Sequence, residues 1–337
     1  MNDDTNIERF YSLKFFIYPK NRLALPNVFR VTQKLDEFKP DIIHIMTEFS
    51  MGVAGLNYGK KNNIPTISNY TTNFSQYTEY YNLEIFKKPI WSYMRWFHNQ
   101  NDITLCPSKE ALKLLHSNGI RNAGIFSRGI YSDRFNPAFR DEALRRQLNI
   151  EDKITFLYVG RVSFEKELDV LCKSYRNIKE IYGDKIALVI TGDGPYLDKC
   201  KETFPEDTIY TGFLKGTELA KMYASCDIFV CPSSTETFGN VILEAMASGL
   251  GVIGAGAGGI KEIIDDRYNG LKFIPKYTDG LEECMIELIE DKNLKEHVVN
   301  NGLAYAKNRT WNKIIDDLIN IYSEILDRNN SKDIKIA

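Results

Sequence analysis

The chain has 337 residues, of which 43% are hydrophobic and 26% are charged, and its formal net charge is -2. This length exceeds the usual size of one hydrophobic core, so we expect two domains. The composition is that of a protein folded throughout, and the balanced charge excludes the basic surface of a typical nucleic-acid-binding protein.

The sequence lacks the residue patterns that are typical of metal sites and of secretion signals. The six cysteines show no CxxC spacing and are interpreted as buried thiols of a reducing cytoplasm. The four histidines lie far apart, so we predict no metal site. No signal peptide is visible, and the longest uncharged stretch is shorter than the roughly 20 residues of a membrane span. We expect a cytoplasmic protein, at most peripheral at the inner face of the membrane.

Short β-branched runs alternate with helical patterns along the whole chain, which is typical of βαβ units and parallel sheets. We predict an α/β protein with two Rossmann-like, doubly wound domains that face an interdomain cleft. In the first part of the chain the predicted strands are DIIHIMT, IPTISNY, ITLCPS and AGIFSRG. From residue 151 onward they are ITFLYVG, IALVITG, TIYTGF, DIFVCPS and GVIGAG.

A connector separates the two predicted domains. It combines a turn signal at Asn136-Pro137 with a charged helical pattern. Near the end of the chain, TWNKIIDDLINIYSEIL places apolar residues at helical spacing, and we expect this helix to pack across the domain junction. The predicted N-terminal domain, linker, C-terminal domain and final helix are residues 1–130, 131–150, 151–308 and 309–328.

A strand, a polar turn and a helix follow one another in DIFVCPSSTETFGNVILEAMASG. Glu236 lies in the turn, Gly239 lies at the start of the helix, and Glu244 lies eight residues after Glu236. The free N–H groups and the dipole of a helix start can bind a diphosphate, and the two carboxylates can accept hydrogen bonds from sugar or ribose hydroxyls. On spacing alone, such a pair would be an ordinary solvated helix face.

A second polar cluster follows the predicted strand ITFLYV. Gly160 ends this strand, and Arg161 and Lys166 flank the loop before the next helix. Ligands of open parallel sheets bind outside the carboxyl ends of the strands, so this loop and the Glu236 turn should face one crevice. Arg161 and Lys166 can neutralise a diphosphate there, and this placement favours function over the alternative of two merely solvated cations.

The two motifs, in this order and separation, resemble the retaining glycosyltransferases of family 4, which have the two-domain GT-B fold. SRGIYSDRFNP, GDGP, TGFLKG and the EX7E motif extend the resemblance over nearly the whole chain. It implies transfer of a hexose, mannose or glucose, from a GDP- or UDP-sugar with retention of configuration and without a metal or cofactor. TTNFSQYTEYY and WFHNQNDITLCPS look like the lipid-directed branch of mannosyltransferases and sulfolipid synthases, which implies a glycolipid acceptor.

The resemblance also implies roles for individual residues. Arg161 and Lys166 would bind the diphosphate, Glu236 the transferred hexose and Glu244 the ribose, and the first three would form the catalytic set. Residues 238–241 would hold sugar and phosphate through their backbone amides, and the region of Phe213 would lie beside the base. The other implied residues are Gly160, Gly194, Leu214, Phe238, Gly239, Asn240 and Val241 on the donor side and Thr71 and Arg128 on the acceptor side.

Two departures from the family pattern bear on activity. The chain begins past the family's first strand and glycine-rich loop, so we expect the first βα unit to be missing. Thr71 follows Tyr70 where relatives have a histidine, and a threonine cannot titrate near neutral pH. A catalytically inactive or truncated sugar-nucleotide-binding remnant is therefore the main alternative.

Two further segments allow more than one interpretation. Gly254, Gly256 and Gly259 match GxGxxG, which makes an NAD-dependent oxidoreductase a distant alternative, although this motif normally occupies the first βα turn of its domain. The segment FKKPIWSYMRWFHN combines cations with aromatic residues and is either a membrane-facing patch or part of the core. The oligomeric state has no signal in the sequence.

Overall fold

The structure is a computed structural model that describes residues 7–15, 18–71 and 84–332. Within these ranges the strands form one antiparallel pair and two parallel sheets. The strands are β1 Ser12–Phe15, β2 Tyr18–Ala24, β3 Ile43–Ile45, β4 Thr66–Asn69, β5 Ile103–Cys106, β6 Ala123–Ile125, β7 Ile154–Val159, β8 Ile186–Thr191, β9 Ile209–Gly212, β10 Ile228–Cys231, β11 Gly251–Ala255 and β12 Leu271–Phe273.

Helices connect these strands and cover the sheets. Several have the amphipathic pattern and polar N-caps expected from the sequence; for example, the side chain of Ser108 caps one helix start. The helices are α1 Val28–Phe38, α2 Ser50–Asn62, α3 Lys87–His98, α4 Lys109–Ser117, α5 Glu142–Gln147, α6 Leu168–Tyr182, α7 Leu197–Thr203, α8 Gly216–Ala224, α9 Asn240–Ala247, α10 Ile260–Ile263, α11 Thr278–Glu290, α12 Lys292–Lys307 and α13 Trp311–Lys332.

The sheet of the second half is a doubly wound parallel sheet. Its strand order is β12-β11-β10-β7-β8-β9, so the chain starts in the middle, runs to one edge, returns to the middle and runs to the other edge. Strands β8 and β10 are buried along their whole length, as their β-branched and aromatic runs predict. The reversal of strand order lies between β7 and β10, which are direct neighbours.

The sheet of the first half is also parallel, with the sequential order β3-β4-β5-β6. Each strand lies inside one of the four runs predicted from the sequence, and together the two sheets confirm the expected α/β class. Unlike the second sheet, this one shows no reversal of strand order within the described residues. His44 on β3 lies next to Asn69 and the Tyr322 hydroxyl, at 3.0 Å and 2.5 Å, as expected for a satisfied core imidazole.

An antiparallel pair precedes the first parallel sheet. Strands β1 and β2 pair with Ser12 opposite Ala24 and Leu13 opposite Leu23. Our sequence analysis did not predict these strands, because this stretch has no Gly, Asn-Gly or Asp-Gly signal to mark a hairpin.

The last helix returns the chain to the first sheet. Buried Ile314, Leu318 and Ile325 of α13 form one apolar cluster with Ile67 of β4 and Leu105 of β5. The apolar stripe predicted for this helix therefore does cover a neighbouring surface. One member of that stripe, Ile315, is instead exposed, because it lies at the edge of the covered face.

We predict that Leu318→Ala destabilises the protein much more than Ile319→Ala. Leu318 is 8% exposed within the cluster, whereas the next residue of the same helix, Ile319, is 52% exposed. Truncating a buried leucine costs about 2 to 5 kcal/mol, and an exposed apolar residue changes stability by about 0.5 kcal/mol or less. Urea unfolding of both variants measures the difference, and equal effects would contradict this packing of α13.

Candidate functional site

A cavity of about 520 Å³ lies where the loops after β7 and β10 face residues of the first sheet. Strands β7 and β10 are the pair at which the strand order reverses, so their connections leave in opposite directions and open a crevice at their carboxyl ends. Ten residues predicted for the site line this cavity: Thr71, Arg128, Gly160, Arg161, Lys166, Glu236, Phe238, Gly239, Asn240 and Val241.

A hydrogen bond from a buried tyrosine fixes the backbone of the loop after β7. The buried Tyr158 donates a hydrogen bond from its hydroxyl to the backbone oxygen of Arg161 at 2.8 Å. The Arg161 side chain is 41% exposed, with its guanidinium 4.0 Å from the buried Glu165. The loop therefore presents the Arg161 side chain to solvent in the cavity while its backbone stays fixed.

Lys166 and Glu236 form an ion pair across the reversal point of the sheet. The Lys166 ammonium lies 2.5 Å from a carboxylate oxygen of Glu236, and both side chains are mostly buried. The sequence analysis assigned these residues separately, one to the diphosphate and one to the hexose. The structure brings them together, so each charge fixes the orientation of the other.

Glu167 ties the same two loops together from beneath. It is buried, its φ of 54° is left-handed, and its carboxylate accepts hydrogen bonds from the backbone N–H and the hydroxyl of Ser234 at 2.9 and 2.8 Å. Lys276 adds a cation at 3.7 Å. This contact fixes the spacing between Lys166 and Glu236, and the sequence analysis did not identify it because Ser234 is 67 residues away in the chain.

The Glu236 turn runs directly into helix α9. Gly239 has a φ of 105°, a conformation that other residues rarely adopt, and it lets the chain turn into the helix. Asn240 and Val241, the first two residues of α9, line the same cavity, and the first N–H groups of a helix have no partner within the helix. The cavity thus contains a helix start next to the Arg161 loop.

The GxGxxG match has a packing role against this turn. Gly259 donates a backbone hydrogen bond to Glu236 at 2.8 Å, and a Cβ on Gly259 would lie 2.4 Å from the Cα of Phe238. Gly254 lies inside β11, the fifth strand of its sheet. These glycines therefore allow close packing of the Glu236 turn, and the NAD interpretation loses its only motif.

Thr237 joins the Glu236 turn to the first sheet across the cleft. Its hydroxyl donates to the backbone oxygen of Thr71 at 3.0 Å, and its own carbonyl accepts from the Ser108 hydroxyl at 2.9 Å. Nearby, the Glu262 carboxylate accepts from the backbone N–H groups of Lys109 and Glu110, at the start of α4. These contacts place the Thr71 wall against the Glu236 wall.

Glu244 lies outside the lining of the cavity, on α9. It accepts a hydrogen bond from the hydroxyl of buried Tyr223 at 2.9 Å. Burial raises the pKa of the Glu244 carboxyl to about 7, although the hydrogen bond from Tyr223 opposes this shift. The carboxyl is therefore partly protonated near neutral pH.

The other predicted donor residues also lie outside the lining. Gly194 follows β8, where its backbone N–H bonds the Asp193 carboxylate. Phe213 is 74% exposed just after β9, and Leu214 packs on the core beneath it. In contrast, Trp311 and Pro107 line the cavity but were not predicted as site residues. From its position at the start of the apolar stripe of α13, Trp311 was expected only to pack.

The comparisons with known proteins agree with this architecture. The family description "Glycosyltransferase Family 4" matches residues 2–134, and "Glycosyl transferases group 1" matches residues 140–305. A GDP-mannose-dependent alpha-mannosyltransferase of Corynebacterium glutamicum is 33% identical over 88% of this chain and 70% of its own length.

The chain belongs to glycosyltransferase family 4. Sulfoquinovosyl transferase SQD2 of Arabidopsis thaliana is 35% identical over 87% of this chain, and the chain spans 58% of that protein's length. Alpha-monoglucosyldiacylglycerol synthase of Streptococcus pneumoniae is 28% identical over 98% of the chain and 77% of its own length. These relatives confirm the family and the resemblance to its lipid-directed branch.

Solved structures confirm the GT-B fold. HepE of Anabaena in complex with UDP has a TM-score of 0.77 at 20% identity, covering 88% of this chain and 82% of that chain. Sucrose-phosphate synthase of Thermosynechococcus elongatus has a TM-score of 0.77 at 18% identity, covering 89% and 77%.

The residues that the structure describes contain neither a helix suited to crossing a membrane nor a cluster of metal ligands. None of their helices combines the length and the apolar character that crossing a membrane requires. Their His, Cys, Asp and Glu side chains form no group of three placed to hold a metal ion.

We predict that Glu244 makes the protein less stable as pH rises. A carboxyl whose pKa is raised in the folded state gives its full stabilisation below its ordinary value of 4.5 and loses it as pH rises through about 7. Glu244→Gln removes this titration, so wild type should lose up to about 3 kcal/mol relative to the variant between pH 4.5 and 8.

Thermal unfolding of both proteins across this pH range measures the effect. The exposed Glu218→Gln on α8 is the matched control, and its difference from wild type should stay constant with pH. A constant difference for Glu244→Gln as well would contradict the environment described for this carboxyl.

Proposed function

We propose that this protein transfers a hexose, mannose or glucose, from a GDP- or UDP-sugar to a glycolipid acceptor with retention of configuration. The observation that carries the proposal is the cavity at the reversal point of the second sheet. There Arg161, the Lys166–Glu236 ion pair and the start of α9 surround one space. The names of the relatives, which include a GDP-mannose-dependent enzyme and a glucosyldiacylglycerol synthase, support the donor and acceptor classes.

In this proposal the donor diphosphate lies at the start of α9. Free N–H groups and the helix dipole favour an anion there, and Arg161 and Lys166 add two positive charges. Glu236 binds a hydroxyl of the hexose, and Glu244 binds the ribose. Gly160 and Gly194, together with the backbone amides of residues 238–241, contact sugar and phosphate, and exposed Phe213 and neighbouring Leu214 lie beside the base.

Catalysis then depends on positioning and on charge stabilisation. As the bond to the hexose breaks, negative charge grows on the leaving diphosphate, and preorganised N–H groups and cations lower the free energy of that state. The ion pair with Glu236 keeps the Lys166 ammonium in place beforehand. Two cations and a helix start supply the positive charge that the step needs, so the proposal invokes no metal and no cofactor.

We also propose a division of the chain into two domains, a linker and a final helix. We assign residues 1–130 to an acceptor-side domain and residues 151–308 to a donor-binding domain, joined by a linker at residues 131–150. The helix of residues 309–328 belongs to the junction. Two backbone hydrogen bonds at this junction support the division. The carbonyl of Ile130 accepts from the N–H of Trp311, and the N–H of Ile130 donates to the carbonyl of Arg309.

The test is transfer of radiolabelled hexose from GDP-mannose, GDP-glucose, UDP-glucose or UDP-mannose to lipid extract. We expect wild type to form a labelled lipid with one of these donors. Arg161→Ala should lower kcat about 10²-fold or more, because a group that stabilises the leaving diphosphate is lost. Exposed Arg176→Ala on α6, at a residue that does not line the cavity, is the matched control and should retain full activity.

Nucleotide binding separates an enzyme from an inert binder. Saturating GDP or UDP, at about 100 times its dissociation constant, should stabilise wild type by about 2.7 kcal/mol, whereas NAD should not. Stabilisation without any transfer would support the alternative of a sugar-nucleotide-binding remnant, and stabilisation by NAD alone would contradict the proposal.

A membrane-contact face is the second part of the proposal. Helix α3 buries Trp91 and Phe97 in the core, so the core interpretation holds for these two aromatics. Other apolar residues of this segment remain exposed, with Ile85 at 83%, Phe86 at 52% and Trp96 at 47%. Exposed Lys87 and Lys88 adjoin them. Apolar residues beside cations favour peripheral contact with an anionic bilayer.

We predict that Phe86→Ser with Trp96→Ser weakens binding to anionic vesicles about tenfold or more, since each lost apolar contact contributes more than 1 kcal/mol. Sedimentation with phosphatidylglycerol and phosphatidylcholine vesicles measures binding, and wild type should prefer the former. Ile181→Ser, at an exposed apolar residue of α6, is the control. Equal binding by the double variant and wild type would remove this face from the proposal.

A further inference from the structure

Arg128 lies on the wall of the cavity opposite the Arg161 loop. It follows β6 and lines the cavity together with Thr71 and Trp311. The guanidinium is half-buried, with its carbon 5.7 Å from the centre of the Phe126 ring. The guanidinium of Arg128 therefore contacts the face of the Phe126 ring, which attracts a cation.

No carboxylate within the described ranges pairs with Arg128, although some other buried or half-buried arginines and lysines have such partners. Arg145, for example, lies 3.6 Å from Asp227 and donates to several backbone oxygens. Burial lowers the pKa of Arg128, which shows that its surroundings disfavour the cation. A partly desolvated guanidinium is stabilised most by an anion that enters the cavity.

Within residues 7–15, 18–71 and 84–332, the groups around Arg128 do not supply that anion. His44 is its titratable neighbour on the first sheet, and burial, together with the charge of Arg128, lowers the pKa of this imidazole. On the opposite wall, the carboxylate of Glu236 is engaged by Lys166. The first-domain wall therefore carries net positive charge, separate from the cations assigned above to the donor diphosphate.

We propose that Arg128 is a specificity-determining residue that binds an anionic group of the acceptor, a phosphate or a carboxylate, beside the hydroxyl that receives the hexose. This inference rests on the proposed function. Bidentate hydrogen bonds from a planar guanidinium suit both anions, and Arg128 is on the wall that the first domain contributes to the cavity, beside Thr71. The favoured acceptors are then anionic glycerolipids rather than neutral ones.

The test compares two acceptors in the same mixed micelles with one active donor sugar. The anionic acceptor is phosphatidylglycerol and the neutral acceptor is diacylglycerol. We expect wild type to prefer phosphatidylglycerol. Arg128→Gln should raise the KM for phosphatidylglycerol at least tenfold and change the KM for diacylglycerol less than twofold. Arg128→Lys should restore part of the loss, and Arg121→Gln, which removes an exposed cation after α4, should behave as wild type.

Three results would overturn the inference. A KM for both acceptors that rises equally in Arg128→Gln would mean that the side chain has a structural role. Weaker binding of GDP or UDP by this variant would mean that Arg128 binds the donor diphosphate. If Arg128→Gln lost transfer from UDP-glucuronate but kept transfer from UDP-glucose, Arg128 would bind an anionic group of the transferred sugar instead of the acceptor.

Failure of the inference is distinguishable from failure of the proposed function. If wild type transfers hexose to both acceptors without regard to charge, only the role of Arg128 is overturned. If wild type binds nucleotide but transfers hexose to neither these acceptors nor a lipid extract, the proposed function fails and this inference fails with it.

Discussion

The contact between Glu167 and Ser234 is the constraint on which the site depends. Parallel strands β7 and β10 lie side by side, but their following connections run in opposite directions because the strand order reverses between them. The buried Glu167 carboxylate holds the two diverging loops together through two hydrogen bonds. Lys166 and Glu236 extend from these fixed loops and pair above them. This tie helps to join the two loops into one unit.

The same turn also connects the two halves of the molecule. Thr237, next to Glu236, donates to Thr71 and accepts from Ser108, so the wall with the ion pair is in register with the wall of the first sheet. A displacement of either half would change the cavity at this residue. This explains how a site with few chemically reactive side chains can still act, because its contribution is the placement of charges and hydrogen-bond donors.

Much of the fold and of the candidate site could be predicted from sequence because the signals are local. Each parallel strand but β12 lies within a predicted apolar run, and the cavity gathers Arg161, Lys166 and Glu236 as expected from their positions after strands. Local patterns did not predict the role of a residue whose partner lies far away in the sequence. Nothing in the neighbouring sequence distinguishes Glu167 and Glu262 from solvated surface acids. The pairing of β1 with β2 has no turn signal in the sequence.

The sequence by itself determined the class of fold, the family and the loops that carry the charged residues, since apolar periodicity and the positions of glycine, arginine and glutamate after strands are properties of neighbouring residues. Only the tertiary structure decided that Lys166 pairs with Glu236, that Trp311 returns to the cavity, and that Arg128 lies half-buried with no carboxylate partner in the part of the chain that the structure describes. These facts join residues up to 183 positions apart, and no local pattern encodes which distant side chains meet when two sheets pack around one cleft.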